Sequence, residues 1–221
     1  MTTAPVTRVF LVDDHPLVRE SLTSLIEQQP DLRVCGEADS ARSALAAIGG
    51  AMPDVAIVDL SLGDHSGLDL IRDLRKLHPE VAVLVLSMHD EDLYAERALR
   101  AGARGYIMKR EATRNVILAI RRIREGKIAL SPRFAESLAE KFVAGAPAVV
   151  EFPVSHLSDR ELEVFRMAGH GRATRQIAES LHLSPKTVQA YYARIKVKLG
   201  VKSATELLRE AIRWVEEQSG R

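Results

Sequence analysis

The sequence predicts an α/β domain with a doubly wound, five-stranded parallel sheet, followed by a small all-α domain that contains a helix-turn-helix. Short β-branched apolar runs alternate with helical periodicity through the first 128 residues. A stretch with two prolines and no helical period follows a short helix, and every later periodic signal is helical. We therefore divide the chain into a first domain at 1–128, a linker with a short helix at 129–154, and a second domain at 155–221.

Five apolar runs in the first domain are short and β-branched, and polar, proline or glycine residues bound them. Such runs are typical of strands that a parallel sheet buries on both faces. Between them, apolar residues recur with helical spacing, as at Leu68, Ile71 and Leu74. This alternation predicts a doubly wound sheet with helices on both faces. The predicted strands are Val9–Val12, Leu32–Cys35, Val55–Val58, Val81–Leu86 and Gly105–Met108.

The second domain carries the start and stop signals of helices. Ser158 followed by Glu161 fits a capping box. Ser184 followed by Pro185 fits an N-cap with proline at the first helical position, and Gly200 stands where that helix should end. The predicted helices span about 159–169, 174–181, 185–199 and 203–217, after a short linker helix from Pro132 to about Ala144.

Charge and composition indicate different partners for the two domains. Residues 1–128 carry 17 basic and 19 acidic side chains, whereas residues 155–221 carry 12 and 8. Within 172–202 the bias rises to seven basic residues against one acidic residue. We therefore expect nucleic acid to bind the second domain only. The single cysteine, Cys35, permits no internal disulfide, and no apolar run approaches the ~20 residues of a membrane span, so we expect a cytoplasmic protein.

Polar residues directly follow four of the five predicted strands. Asp13 and Asp14 follow the first strand, Asp59 the third, Ser87 the fourth and Lys109 the fifth. The carboxyl ends of parallel strands meet at one edge of the sheet, where α/β proteins bind ligands. Three close carboxylates repel one another unless a cation compensates them, and hard oxygen ligands suit Mg²⁺. A lysine and a hydroxyl opposite them suit phosphoryl oxygens, and an aspartate can be the nucleophile that receives the phosphoryl group.

Residues 1–128 resemble the receiver domain of response regulators. The matching segments are LVDDHPLVRESL, IVDLSLGDHSGLDLI, VLSMHD and GARGYIMKR. The resemblance implies a flavodoxin-like fold in which Asp59 accepts phosphate from a sensor histidine kinase. It also implies that Asp13, Asp14 and Asp59 bind Mg²⁺ together with the backbone carbonyl of Ser61.

The same resemblance assigns the residues that respond to phosphate. Lys109 pairs with the phosphoryl oxygens, Ser87 moves to bond them, and Tyr106 rotates inward behind it. Many relatives have Met-Pro where this chain has Leu62–Gly63, which spares the metal and phosphate ligands but bears on loop stiffness and phosphate lifetime. We expect His89 to be a surface residue that tunes dephosphorylation.

The segment RATRQIAESLHLSPKTVQAYYARIKVKLGVKS predicts two helices joined by a tight turn near His182–Ser184. In a helix-turn-helix the second helix enters the major groove of DNA and the first crosses the backbone. Small and basic side chains share the exposed face of this second helix, and Gln189 can read a base edge. The alternative is an ordinary amphipathic helix with a solvated basic face, but the cap, the turn and the charge ratio favour DNA.

Residues 155–221 resemble a LuxR-type helix-turn-helix domain, and the two domains together resemble a NarL/FixJ-type response regulator. The segment LSDRELEVFRMAGHGRATRQIAESLHLSPKTVQAYYARIKVKLGVKSATEL carries the match. Relatives often have lysine in place of Gln189 and a polar or basic residue in place of Ala193, so their DNA sequences do not carry over. ATRQIA replaces the commoner Ser-Asn-Lys-Glu-Ile-Ala, which bears on backbone contacts by Arg175. By resemblance, the residues that face DNA are Lys186, Thr187, Gln189, Ala190, Ala193 and Arg194, and those that touch phosphates are Lys198 and Lys202.

These observations predict a transcription regulator that phosphorylation switches, and not an enzyme. Phosphate adds charge and acceptor oxygens at Asp59, Ser87 and Tyr106 respond, and the surface around the fourth helix and fifth strand shifts. That shift frees the DNA-binding domain or favours a homodimer that reads paired half-sites. Two alternatives stay open: a phosphorylation-independent DNA-binding regulator whose receiver serves for dimerisation, and a Mg²⁺-dependent aspartyl-phosphate enzyme. Against the enzyme, the sequence offers no general acid beside Asp59 and no glycine-rich phosphate loop.

Overall fold

The computed structural model describes residues 6–62, 65–143, 154, 157–181 and 183–219. The chain divides into two compact units, Met1–Ala144 and Gly145–Arg221. Within the described ranges, no helix has both the length and the apolar character that crossing a membrane requires.

Five strands of the first unit form a parallel sheet, and two short strands form a separate hairpin. The strands are β1 (Thr7–Val12), β2 (Leu32–Ala38), β3 (Val55–Val58), β4 (Ser61–Leu62), β5 (His65–Ser66), β6 (Ala82–Ser87) and β7 (Gly105–Met108). The sheet order is β2-β1-β3-β6-β7 and all its pairs are parallel. The chain therefore winds outward from β1 to β2 and then crosses back, which confirms the predicted doubly wound α/β fold class.

Helices follow the strands of this sheet and cover its apolar faces. They are α1 (Pro16–Glu27), α2 (Ala41–Ala51), α3 (Gly67–Leu77), α4 (Glu91–Ala101), α5 (Ala112–Arg124) and α6 (Pro132–Val143). Val55 and Ile57 of β3 pack into one core with residues of α1 and α5. The alternate residues Ala56 and Val58 are equally buried on the other face. A strand buried on both faces needs helices on both sides, which is why it reads as a continuous apolar run.

The β4–β5 hairpin lies directly after β3 and was not predicted from the sequence. Its strands pair antiparallel through Ser61–Ser66 and Leu62–His65, too short a length to show a period-two pattern. Gly67 closes the hairpin against β3, because a Cβ atom there would lie 2.2 Å from the carbonyl oxygen of Asp59. The position therefore requires glycine. Gly63 of the predicted Leu62–Gly63 departure lies outside the described residues.

Helix α6, which the sequence analysis placed within the linker, falls in the first unit. The physical reason is burial, since the Phe134 side chain is only 2% exposed. Ahead of the helix, the N–H of Ala129 donates to the carbonyl of Arg104, and its carbonyl accepts from the N–H of Tyr106. The GAPAVVEFPVS stretch lies almost wholly outside the described residues.

The second unit contains helices and no strand among its described residues. Its helices are α7 (Asp159–Gly169), α8 (Thr174–Ser180), α9 (Pro185–Leu199) and α10 (Ala204–Ser219), within two residues of the predicted ends. The capping box at Ser158 and Glu161 is present, with the Ser158 N–H donating to Glu161 Oε2 at 2.7 Å. Phe165 and Trp214 pack with ring centroids 5.9 Å apart, joining α7 to α10. Of the predicted turn, His182 lies outside the described residues.

Candidate functional site

The ends of β1, β3 and β7 bring two aspartates and a lysine together. The Nζ atom of Lys109 lies 2.7 Å from Oδ2 of Asp13 and 2.7 Å from Oδ2 of Asp59. Both aspartates are almost fully buried, at 3% exposure each. Each of the three residues directly follows its strand, so the parallel register of the sheet places them at one edge. Three of the predicted site residues thus share a direct polar contact.

Burial determines the electrostatics of this cluster. Loss of water raises the pKa of Asp59 to about 6, and the attraction of Lys109 opposes that rise. Burial by itself lowers the pKa of Lys109, but Asp59 and Asp13 outweigh it and the net pKa is raised. The lysine therefore stays charged at neutral pH. One cation faces two buried carboxylates, which leaves the cluster with excess negative charge.

Two carboxylate oxygens in the cluster are buried without a hydrogen-bond partner among the described residues: Oδ1 of Asp59 and Oδ1 of Asp14. The Asp14 oxygen lies 2.6 Å from Nδ1 of the mostly exposed His15 ring, but without the alignment of a hydrogen bond. Asp13, Asp14, His15 and Asp59 each place one possible ligand atom within 4.8 Å of the others. Unsatisfied carboxylate oxygens with excess negative charge suit a hard divalent cation, so these residues fit Mg²⁺. His15 directly follows Asp14, and the sequence indicates that it lies near this edge but gives no reason to assign it to a metal site.

Ser61 lies beside the cluster in β4. Its backbone N–H lies near the Asp59 carboxylate and acts to lower the pKa of that group, against the larger rise that burial causes. Its Oγ atom lies 2.9 Å from Nε2 of His89. The structure therefore joins Ser61, two positions after Asp59, to His89, two positions after Ser87.

The backbone of His89 is held by both predicted switch residues. Its N–H donates to Oγ of Ser87 at 3.1 Å, and its carbonyl accepts from the hydroxyl of Tyr106 at 2.9 Å. Ser87 and Tyr106 are buried, and burial raises the pKa of the tyrosine hydroxyl above its usual range. The His89 ring stacks on Tyr94 of α4 with centroids 4.6 Å apart. His89 is thus only half-exposed at the surface, because these three contacts and that with Ser61 partly enclose it.

Helix α9 in the second unit presents the predicted DNA-facing residues. Val188 and Ile195 are fully buried and fix the rotation of the helix. Thr187 is half-buried, and its N–H donates to the capping Ser184. Val197 is 82% exposed, and helical spacing places it beside the predicted face. The sequence analysis did not include it, because a single valine in a helix is usually expected to be buried. The exposed predicted residues are Lys186, Gln189, Ala190, Ala193 and Arg194 on α9, Arg175 on α8, and Lys202 after α9.

Lys198, which the sequence predicts to contact a DNA phosphate, forms an ion pair within its own domain. Its Nζ atom lies 2.6 Å from Oε2 of Glu161, whose side chain is 4% exposed. Glu161 belongs to the capping box that begins α7, so Lys198 ties α9 to α7. A buried carboxylate needs a cation, and this contact engages the amine that was expected to meet DNA. Lys202, by contrast, makes no ion pair within the described ranges, and its N–H donates to Glu206.

Comparison with known proteins assigns a class to this combination of fold and cluster. Residues 9–121 match the family model described as response regulator receiver domain. Residues 155–211 match the model described as bacterial regulatory proteins, luxR family. The first match alone covers more than half of the chain, so the chain belongs to the response regulator family.

Characterised relatives match almost the whole chain. The DNA-binding transcriptional activator DevR/DosR of Mycobacterium tuberculosis is 36% identical over 199 residues, covering 90% of this chain and 91% of the relative. The response regulator GacA of Pseudomonas viridiflava is 36% identical over 206 residues, covering 93% and 95%. The transcriptional regulatory protein UhpA of Salmonella typhimurium is 39% identical over 199 residues, covering 90% and 94%. The protein is thus a transcriptional response regulator, in which a receiver domain controls a LuxR-type DNA-binding domain through phosphorylation.

Similar solved structures agree with this class. The RcsB response regulator of Salmonella typhimurium has a TM-score of 0.62 at 25% identity, covering 95% of this chain and 98% of RcsB. A LuxR-family two-component response regulator from Aurantimonas sp. SI85-9A1 has a TM-score of 0.58 at 36% identity, covering 62% and 99%. Both support the flavodoxin-like receiver, and the first spans the helical domain as well.

Proposed function

We propose that Asp59 is the residue phosphorylated by a sensor histidine kinase. The observation that carries this proposal is the state of its two carboxylate oxygens. Oδ2 is held by Lys109 at 2.7 Å, whereas Oδ1 has no hydrogen-bond partner in the described part of the chain. An oriented carboxylate with one available oxygen can act as a nucleophile. Oδ1 forms a bond to phosphorus as the bond between phosphorus and the kinase histidine nitrogen breaks, and the nitrogen keeps that electron pair.

Asp13, Asp14 and Asp59 would hold Mg²⁺, together with the backbone carbonyl of Ser61. Bound there, the ion would neutralise charge on the phosphoryl oxygens. The protein's own residues do the rest of the positioning. Lys109 already contacts Asp59 and supplies a fixed positive charge for a phosphoryl oxygen. Removal of either cation would leave the incoming phosphate facing uncompensated carboxylates.

Phosphorylation acts on DNA binding through Ser87 and Tyr106. In the described contacts the Ser87 hydroxyl accepts a hydrogen bond from His89, so turning toward a phosphoryl oxygen changes the support of that backbone. Helix α9 then reads DNA with its exposed small and basic residues, and Lys202 and Arg175 contact phosphates. A homodimer of the phosphorylated chain would place two such helices on paired half-sites. RcsB is 26% identical to this chain, and one of its structures shows it bound to promoter rprA in the presence of the phosphomimetic BeF3−.

Incubation with acetyl phosphate and Mg²⁺ tests the proposal directly. Intact-mass measurement should show one added phosphoryl group, and Asp59→Asn should show none. Asp69→Asn is the matched control, because Asp69 is an exposed carboxylate on α3 that pairs with Arg72. Binding to a duplex selected from random DNA by the phosphorylated protein should tighten on phosphorylation in wild type and in Asp69→Asn, but not in Asp59→Asn. Labelling of Asp59→Asn at another aspartate would refute the assignment, and equal DNA affinity in both states would favour the phosphorylation-independent alternative.

A further inference from the structure

The segment before α6 contacts two elements near the switch residues: β7, which contains Tyr106, and α4, which begins four residues after Ser87. Ala129 pairs with Gly105 at the edge of β7, and its carbonyl accepts the N–H of Tyr106 at 2.9 Å. Two residues later, the N–H of Ser131 donates to Oε1 of Glu91 at 3.1 Å. Glu91 is the first residue of α4. We call residues 129–134 the connector, because they lead from the receiver sheet into α6.

The connector also fixes the start of α6. Oγ of Ser131 accepts the N–H of Phe134 at 3.1 Å, and the Phe134 ring is buried. A second link to α4 joins Arg133 to Asp92 at 3.0 Å, but the Arg133 side chain is 80% exposed. Water screens such an exposed pair, so it contributes little. Glu91, which is half-buried, therefore provides the more sheltered of these two polar contacts between α4 and the connector.

The same end of α4 is tied to the candidate switch. Ser87 Oγ and the Tyr106 hydroxyl hold the two backbone polar groups of His89. The next residue, Asp90, caps α4 by accepting the N–H of Asp92. A Ser87 hydroxyl that turns to a phosphoryl oxygen withdraws the acceptor of the His89 N–H, only two residues before Glu91. The first turn of α4 can then move relative to β7 and the connector.

We propose that the Glu91–Ser131 hydrogen bond is a latch that holds α6 on the receiver, and that phosphorylation opens it. The latch rests on the proposed function, since phosphate on Asp59 is its trigger. The chain continues from α6 to the DNA-binding unit. Release of α6 therefore gives a longer stretch of chain, between the receiver and the DNA-binding helices, the freedom to change conformation. The phosphate signal thereby reaches the linker through α4.

Hydrogen–deuterium exchange of the full-length protein tests the latch. Glu91→Ala should speed exchange in residues 131–143 about 5- to 10-fold without phosphate, as expected for loss of one hydrogen bond of about 1 kcal/mol. Wild type treated with acetyl phosphate and Mg²⁺ should show a similar acceleration. Glu96→Ala is the control, because Glu96 lies on the same helix and bonds Arg100 instead. Its exchange in residues 131–143 should match that of wild type.

Glu91→Gln separates the latch from a charge effect on α4. Glutamine keeps an acceptor oxygen but removes the negative charge near the helix N-terminus. Exchange in the connector of this variant should stay closer to wild type than to Glu91→Ala. Equal acceleration in both variants would overturn the hydrogen-bonded latch. Phosphate uptake at Asp59 without faster exchange in 131–143 would also overturn the latch alone, whereas absence of any phosphate uptake would overturn the proposed function and the trigger with it.

Discussion

Lys198→Ala should lower the free energy of unfolding of the DNA-binding unit by about 1–2 kcal/mol. In the structure the lysine amine lies 2.6 Å from a Glu161 carboxylate that is 4% exposed. Breaking a fully buried ion pair on one side costs about 3–5 kcal/mol, and an exposed pair contributes about 0–1 kcal/mol. The Lys198 side chain is 38% exposed, so water would partly replace it, which gives an intermediate cost.

The pH dependence of this loss has a definite sign. Burial raises the pKa of Glu161, but hydrogen bonds from Lys198 and Ser158 outweigh burial and the net pKa is lowered. A carboxyl group with a lowered pKa stabilises the fold above its unfolded pKa, and it loses that contribution as the pH falls through the folded pKa. The difference in stability between wild type and Lys198→Ala should therefore be full at neutral pH and shrink below the usual pKa range of glutamate.

Urea unfolding followed by Trp214 fluorescence measures this loss, because Trp214 is the only tryptophan and is buried in the second unit. Lys202→Ala is the matched control, a nearby exposed lysine whose loss should change stability by less than about 0.5 kcal/mol. The same control should lower the salt slope of DNA binding by about 1, as expected for a phosphate contact. A Lys198→Ala effect no larger than that of Lys202→Ala would refute the structural role of Lys198.

Two further substitutions test the receiver cluster and the recognition helix. Asp14→Ala should lose Mg²⁺ affinity, yet its unfolding free energy without Mg²⁺ should rise by about 1 kcal/mol, the size of the repulsion between two charges about 4 Å apart in water. Calorimetric titration and thermal unfolding measure the two effects, and unchanged Mg²⁺ affinity would remove Asp14 from the site. Gln189→Ala should cost about 1–3 kcal/mol on a selected duplex and relax discrimination at one base pair. Equal losses on selected and scrambled duplexes would show that Gln189 does not read bases.

The strands and the helices of both units could be predicted from local pattern because burial imposes it. Val55–Val58 is buried on both faces and reads as a continuous apolar run, which length and β-branching identify as a strand. The hairpin at Ser61–Leu62 has no such pattern, since two residues carry no period. Beside it, Gly67 approaches the backbone of Asp59 so closely that no side chain fits, a contact made in three dimensions.

The candidate phosphate site was also largely predictable, and for a topological reason. Each strand of a parallel sheet ends at the same edge, so Asp13, Asp59 and Lys109 had to meet once their strands were assigned. Which oxygen of Asp59 remains available was not predictable. That depends on the side-chain geometry around Lys109, to which a linear sequence gives no access.

The sequence by itself determined the fold class, the order of the domains and the residue types at the receiver edge, because periodicity and strand-end position are local properties of the chain. Tertiary structure decided the partners of side chains that lie far apart in sequence. It paired Lys198 with Glu161, and it joined Glu91 to Ser131 across 40 residues. Such pairings follow from how helices pack in three dimensions, where a charge takes the nearest sheltered partner whatever its separation along the chain.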